Sequence, residues 1–172
     1  MPIASAQQYL KGKLDGLPMP GGAPNLACYI TPPDPNVESD IPTAYVWPSG
    51  GREARDPNFA GSMTRNAGPG TTSGFKTIEH SLDIWVIWFG SDEDQDADTL
   101  FPGMVDAIMF ALRTDTPNPD EYLTDPWTGQ QTQLANVGET MSYQVQISAV
   151  ADQRFNRYDA MLTLPLIEVI QA

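Results

Sequence analysis

The chain contains few of the residues on which many functional sites depend. Its 172 residues include one cysteine, one histidine and nine lysines and arginines, against 22 aspartates and glutamates, for a net charge of −13. One cysteine excludes an intramolecular disulfide, and one histidine excludes a multi-histidine metal site. The shortage of basic residues disfavours sequence-independent binding to duplex nucleic acid, because neutralising phosphates requires clustered lysine and arginine.

Long apolar segments are also missing. The longest, residues 84–89, is far shorter than the roughly 20 residues that a membrane-spanning helix needs. Residues 1–8 have neither the basic nor the apolar region of a signal peptide, so we expect the protein to stay in the cytoplasm where it is made. A chain of this length can bury about 70% of its unfolded surface, and residues 1–172 are therefore interpreted as a single domain.

Two segments have the apolar spacing of helices. Residues 5–17 predict a short amphipathic helix that Gly16 and Pro18 would end. Residues 96–113 predict a longer core helix, which Asp96 or Asp98 could cap at its positive N-terminal end.

The strongest strand signal lies at residues 75–89. Alternate side chains predict one apolar face: Ile78, His80, Leu82, Ile84, Val86 and Trp88. The opposite face begins polar and becomes apolar at Trp85, Ile87 and Phe89. We therefore expect these three residues to pack in the core or against a neighbouring subunit.

Shorter strand signals complete the predicted sheet. Two short strands are predicted at residues 27–31 and 43–47, each followed closely by prolines. Residues 127–137 suggest an irregular hairpin. Residues 141–149 are predicted to pair with 158–169 in a closing hairpin. Pro165 should lie at a bulge or on an edge, because it cannot donate to a ladder. The predicted fold class is α+β, with a mostly antiparallel sheet packed against one long and one short helix.

Residues 48–74, between the early strands, predict a long exposed loop rich in glycine, proline and small polar residues. This segment contains Arg52, Arg55 and Arg65, three of the nine basic residues. Two interpretations are open: a solvated loop, or an arm whose arginines dock on an acidic neighbour.

No constellation of catalytic residues is visible. The acidic run from Asp92 to Asp98 begins like a calcium-binding loop, but Ala97 stands at the position that needs glycine and Gly103 at the position that needs glutamate. Helix capping explains the run better than a metal site does. His80 and Cys28 are predicted to be structural, so we expect no catalytic residue, no metal, no cofactor and no enzymatic activity. A metal-binding module built on the acidic run remains the alternative from another functional class.

The order of elements carries a family resemblance. The strand FKTIEHSLDIWVIWF at 75–89, the helix DADTLFPGMVDAIMFALR at 96–113 and the closing hairpin together resemble the tail terminator proteins of long-tailed bacteriophages, particularly those of actinobacterial siphophages. The resemblance covers nearly the whole chain and is closest over residues 75–172.

This resemblance implies a structural virion protein without catalytic residues. Such proteins form a ring, usually a homohexamer, at the head-proximal end of the tail, where they cap the tail tube, stop its polymerisation and join it to the head connector. The implied partners are further copies of the chain, tail tube protein and head-tail connector proteins, with DNA passing through the lumen without specific binding. A tail tube or neck completion protein is the alternative within the same structural class.

Overall fold

The computed structural model describes residues 2–31, 41–56, 75–91, 97–113, 122–124, 131–137, 141–149 and 155–171. The helical elements are α1 (Pro2–Leu14), a 3₁₀ turn (Pro20–Gly22) and α2 (Ala97–Leu112). The strands are β1 (Ala27–Tyr29), β2 (Thr43–Asp56), β3 (Phe75–Ser91), β4 (Tyr122–Thr124), β5 (Gln131–Val137), β6 (Ser142–Ala149) and β7 (Phe155–Gln171).

All seven strands belong to one sheet, ordered β1-β2-β3-β7-β5-β4, with β6 also paired to β7. The β1–β2 pair is parallel and every other pair is antiparallel. Strand β6 pairs with β7 as far as Thr163, and β5 pairs with β7 from Leu166 onward. Pro165 lies between these two pairings, at a point where β7 has no partner on that side within the described strands.

Both helices pack against one face of the sheet, and the predicted α+β class is confirmed. Along β3, His80, Leu82, Ile84, Val86 and Trp88 are buried as the alternation predicts, while Ile78 is half-buried. β2, β7 and the helices add the other core residues, among them Val46, Tyr158, Leu162, Leu164, Leu10, Leu14, Phe101, Met104 and Ile108. Each large apolar side chain buried in this way stabilises the fold by roughly 1.5–3 kcal/mol.

Three aromatic rings fix the start of α2 against the sheet. Trp88 and Phe101 are stacked with ring centroids 6.4 Å apart, and Tyr158 lies 5.3 Å and 5.4 Å from them. The Tyr158 hydroxyl donates a hydrogen bond of 2.8 Å to the Asp98 carboxylate in the first helical turn. This packing connects β3, β7 and α2 at one point.

The predicted loop at residues 48–74 is wrong for its first part. Strand β2 continues to Asp56 and pairs with β3 from Phe75 to Leu82, with one register shift between Pro48 and Gly50. Gly51 allows the two backbones to approach closely, because a Cβ at this position would lie 2.9 Å from the Glu79 carbonyl oxygen. Main-chain hydrogen bonds to β3 hold this part of β2. Its side chains do not alternate between apolar and polar, so the sequence gives no strand signal here. Residues 57–74 of the predicted loop lie outside the described part of the chain.

A second correction concerns the region before the closing hairpin. The sequence predicts an irregular hairpin over residues 127–137 and no strand between the core helix and this hairpin. The structure instead has β4 at Tyr122–Thr124, paired antiparallel with β5. Three residues with no clear alternation carry too little signal for a strand to be recognised.

Candidate interaction surfaces

One face of the sheet, here called the outer face, is opposite the two helices. It contains the residues of β1, β2, β3 and β7 that alternate with the buried ones. Along β3 these side chains are all half-buried from Glu79 to Phe89. In the described part of the chain no helix packs on this face, and large side chains there contact solvent.

A row of large side chains crosses the outer face. The strand register places Tyr29, Tyr45, Trp85 and Met161 side by side on four successive strands. Tyr29 and Tyr45 are stacked with ring centroids 5.7 Å apart, and Tyr45 lies 6.4 Å from Trp85. Tyr29 is 48% exposed, Met161 is 38% exposed and Trp47 on the same face is 51% exposed. These residues form a continuous row of large, partly exposed side chains on the outer face.

Polar partners hold Trp85 in a fixed orientation. Its indole Nε1 donates to Asp159 Oδ1 at 3.0 Å, and the Arg157 guanidinium lies 5.5 Å from the ring centroid. Arg157 also donates through Nε and Nη2 to the two oxygens of Asp159, both at 2.8 Å. The paired charges of Arg157 and Asp159 lie beside an open groove of about 750 Å³, which Trp85, Gln144, Gln146 and Met161 also line.

The structure places the predicted contact residues Trp85, Ile87 and Phe89 together on the outer face. All three are half-buried, whereas their neighbours Val86 and Trp88 belong to the core beneath the helices. Their role in contacts between subunits stays a prediction.

Two of the three predicted docking arginines, Arg52 and Arg55, lie on strand β2. The Arg52 side chain is 78% exposed, and its Nε lies 2.6 Å from Glu79 Oε2 on the adjacent strand. Arg55 is paired with Lys76 in the ladder. Arg65 lies outside the described residues. The structure therefore locates two of the three on one arm and gives Arg52 an acidic partner within the chain.

A buried ionisable pair lies on the helix side of the sheet, and sequence reasoning found only half of it. His80 Nε2 and Glu168 Oε2 are 3.0 Å apart, with side chains only 3% and 2% exposed. Glu168 has the same strand parity as Leu164 and Leu166, and this is the signal that could have identified it as buried. A buried pair that is hydrogen-bonded within itself fits a structural role.

The remaining candidate groups also have local explanations. Burial, together with the nearby charge of Asp15, raises the pKa of the Cys28 thiol to about 12, while Lys11 acts in the opposite direction. Asp98 accepts the Tyr158 hydrogen bond, and residues 92–96 of the acidic run lie outside the described part. No group of three or more histidine, cysteine, aspartate or glutamate residues is arranged to hold a metal among the described residues.

The chain matches no protein-family model and no curated protein. Within the described residues, neither helix has the length and apolar character needed to cross a membrane.

Proposed function

We propose that this chain is a structural protein of a phage virion: a tail terminator that forms a ring on the tail tube, stops polymerisation of the tube and joins the tail to the head connector. The observation that carries the proposal is the outer face, on which no described helix packs, with its row of large side chains. The resemblance in element order over residues 75–172 supports the same assignment.

The outer face has the composition of a protein contact surface. Tyrosine, tryptophan and methionine are enriched in the centres of interfaces, where a few buried aromatic side chains provide most of the binding energy. Tyr29, Trp47 and Trp85 have that character, and Arg157 with Asp159 keeps Trp85 in place. In the proposed ring, this face contacts a neighbouring copy or the end of the tail tube.

The β2–β3 hairpin supports a docking arm in the same scheme. The Arg52 side chain is highly exposed. Its single exposed ion pair with Glu79 contributes at most about 1 kcal/mol to the stability of the fold. The arginine can therefore exchange that partner for an acidic group on tail tube or connector protein at small cost. Arg52, Arg55 and Arg65 are proposed as the docking charges.

The net charge suits a ring through which DNA passes. Each copy carries −13, and acidic side chains that line a lumen repel phosphates. DNA could then slide through the ring without being held.

The proposal is tested by assembling the purified protein with and without tail tubes of the same phage. We expect light scattering and negative-stain imaging to show closed rings on tube ends and no further growth of capped tubes. Trp47→Lys on the outer face should weaken ring formation and capping about tenfold or more, because it puts a charge into an apolar contact. Phe110→Lys is the matched control, because Phe110 on α2 is 79% exposed on the opposite side of the molecule.

Three outcomes would contradict the assignment. Protein that is strictly monomeric and ignores tube ends is not a terminator. Growth into long tubes, or binding to the head portal alone, would indicate the tail tube or neck completion alternative. Stoichiometric binding of calcium or magnesium in a calorimetric titration, lost on replacing Asp92 and Asp94 by asparagine, would indicate the metal-binding module.

A further inference from the structure

Strand β6 is an edge strand that is open on both faces. It pairs with β7 on one side, and no described strand pairs with it on the other. Residues 142–147 are all exposed, including Tyr143 at 56%, Val145 at 42% and Ile147 at 53%. These three side chains lie opposite core residues of β7 and thus on the helix side of the sheet, but the core ends at β7.

The sequence of β6 lacks the features that protect edge strands from pairing with other chains. Protected edges are short, or contain charges, prolines or bulges. β6 has eight residues in regular register with β7, and none of them is charged, proline or glycine. An uncharged edge of this length, with apolar side chains on one face, is the form that binds another strand.

Other edges of the same sheet are protected. β1 has three residues, its Cys28 amide donates to the Asp15 carboxylate at 3.0 Å, and the adjacent Leu26 amide donates to the Leu17 carbonyl at 2.9 Å. Beyond the end of β1, the edge of β2 contains Pro48, a register shift and several charged residues, all of which disfavour pairing with another strand. These edges are closed to strand addition, and β6 differs from both.

We propose that β6 binds the β6 strand of a second copy of this chain in antiparallel orientation, so that one sheet continues across a twofold axis. A strand added to β6 must have an open edge of its own. β1 and β2 do not offer one, and β4, at the other end of the sheet, has only three residues. A twofold contact satisfies this requirement because each copy supplies the same strand. The proposal concerns the free protein and does not depend on the function proposed above, since it leaves the outer face available.

Antiparallel pairing centred on Val145 makes β6 complementary to itself. Val145 then lies opposite its own copy and Tyr143 lies opposite Ile147, so apolar side chains meet on one face. Gln144 lies opposite Gln146 on the other face, where their amides can hydrogen bond across the strands. The contact contains no charged side chain, which matters because each copy carries −13. The nearest charges on β7, Arg157 and Asp159, neutralise each other at 2.8 Å.

Charge placement at the axis gives the sharpest test. Wild-type protein should sediment as a dimer at tens of micromolar, and Val145→Lys and Val145→Glu should each weaken dimerisation by about 100-fold or more, because each puts like charges opposite one another. Mixing the two variants should restore the dimer, because lysine then lies opposite glutamate. Far-UV circular dichroism should be unchanged, since Val145 is exposed in the single copy. Phe110→Lys is again the control and should leave the dimer intact.

A cross-link gives an independent reading of the register. Opposed residues in antiparallel strands have Cα atoms about 4.5–5.5 Å apart, within the range a disulfide can bridge. Val145→Cys should therefore form a covalent dimer on mild oxidation, and the native Cys28 should not compete because it is buried. The proposal is overturned if wild-type protein stays monomeric at about 100 µM, if larger oligomers persist unchanged in Val145→Lys, or if the mixed variants do not associate.

Discussion

Removal of one partner from the buried His80–Glu168 pair should destabilise the whole domain. Both side chains are almost fully inaccessible and their polar atoms are 3.0 Å apart, so neither can turn to water when the other is lost. Breaking a buried ion pair costs about 3–5 kcal/mol, and leaving a neutral buried polar group unpaired costs about 1–3 kcal/mol. Glu168→Leu and His80→Leu should fall within these ranges.

The double variant provides the decisive comparison. Replacing both partners of a buried pair by apolar residues is often close to neutral, because neither polar side chain is then buried without the other. We therefore expect His80→Leu combined with Glu168→Leu to be less destabilised than the sum of the two single variants by about 2 kcal/mol or more. For 172 residues, a loss of 3–5 kcal/mol corresponds to a melting temperature about 6–20 °C lower.

Urea unfolding followed by tryptophan fluorescence measures these values, because Trp88 is in the same core. Glu168→Gln is the matched control: it retains the shape and a hydrogen-bonding group, and it separates the loss of charge from the loss of contact. Single variants within about 1 kcal/mol of wild type, or strictly additive effects, would show that the pair does not contribute as argued.

Two further predictions follow from the cysteine and the arginines. Folding raises the pKa of Cys28 from 9.0 to about 12, so the unfolded chain loses this proton at a lower pH than the folded chain does. The free energy of unfolding should therefore fall as pH rises from about 9 towards 12, and it should fall more steeply for wild type than for Cys28→Ala. Parallel profiles would contradict this. Replacing Arg52, Arg55 and Arg65 by glutamine should weaken attachment to tails and leave the melting temperature nearly unchanged. The control variant carries the same change at Lys11, Lys13 and Arg113, and its attachment should be unaffected. Equal binding by the two triple variants would exclude the docking role.

The sequence predicted the core correctly where the spacing of apolar residues along an element matches the face that the structure buries. The alternation from His80 to Trp88 identified the buried face of β3, and helical spacing located α2 to within a residue of Ala97–Leu112. Both segments contrast apolar with polar side chains, and burial follows that contrast directly.

The failures have a common physical origin in contacts between distant residues. Glu168 is buried because it meets His80, 88 residues away, and local sequence does not reveal that partner. The outer half of β2 is a strand because Gly51 and its neighbours pair through the backbone with β3, and backbone pairing leaves no mark on side-chain type. β6 has the alternation of a half-buried strand, yet it is exposed because the core ends one strand earlier.

The position of β7 in the sheet has a consequence for synthesis of the protein. β7 lies beside β3 along its full length, yet it follows every other strand in the chain. While the ribosome is still making residues 92–154, the edge of β3 that pairs with β7 has no partner strand, and chaperones could bind it. Non-local pairing of this kind folds on the scale of milliseconds to seconds. Copies of the chain should therefore associate only after β7 has been made.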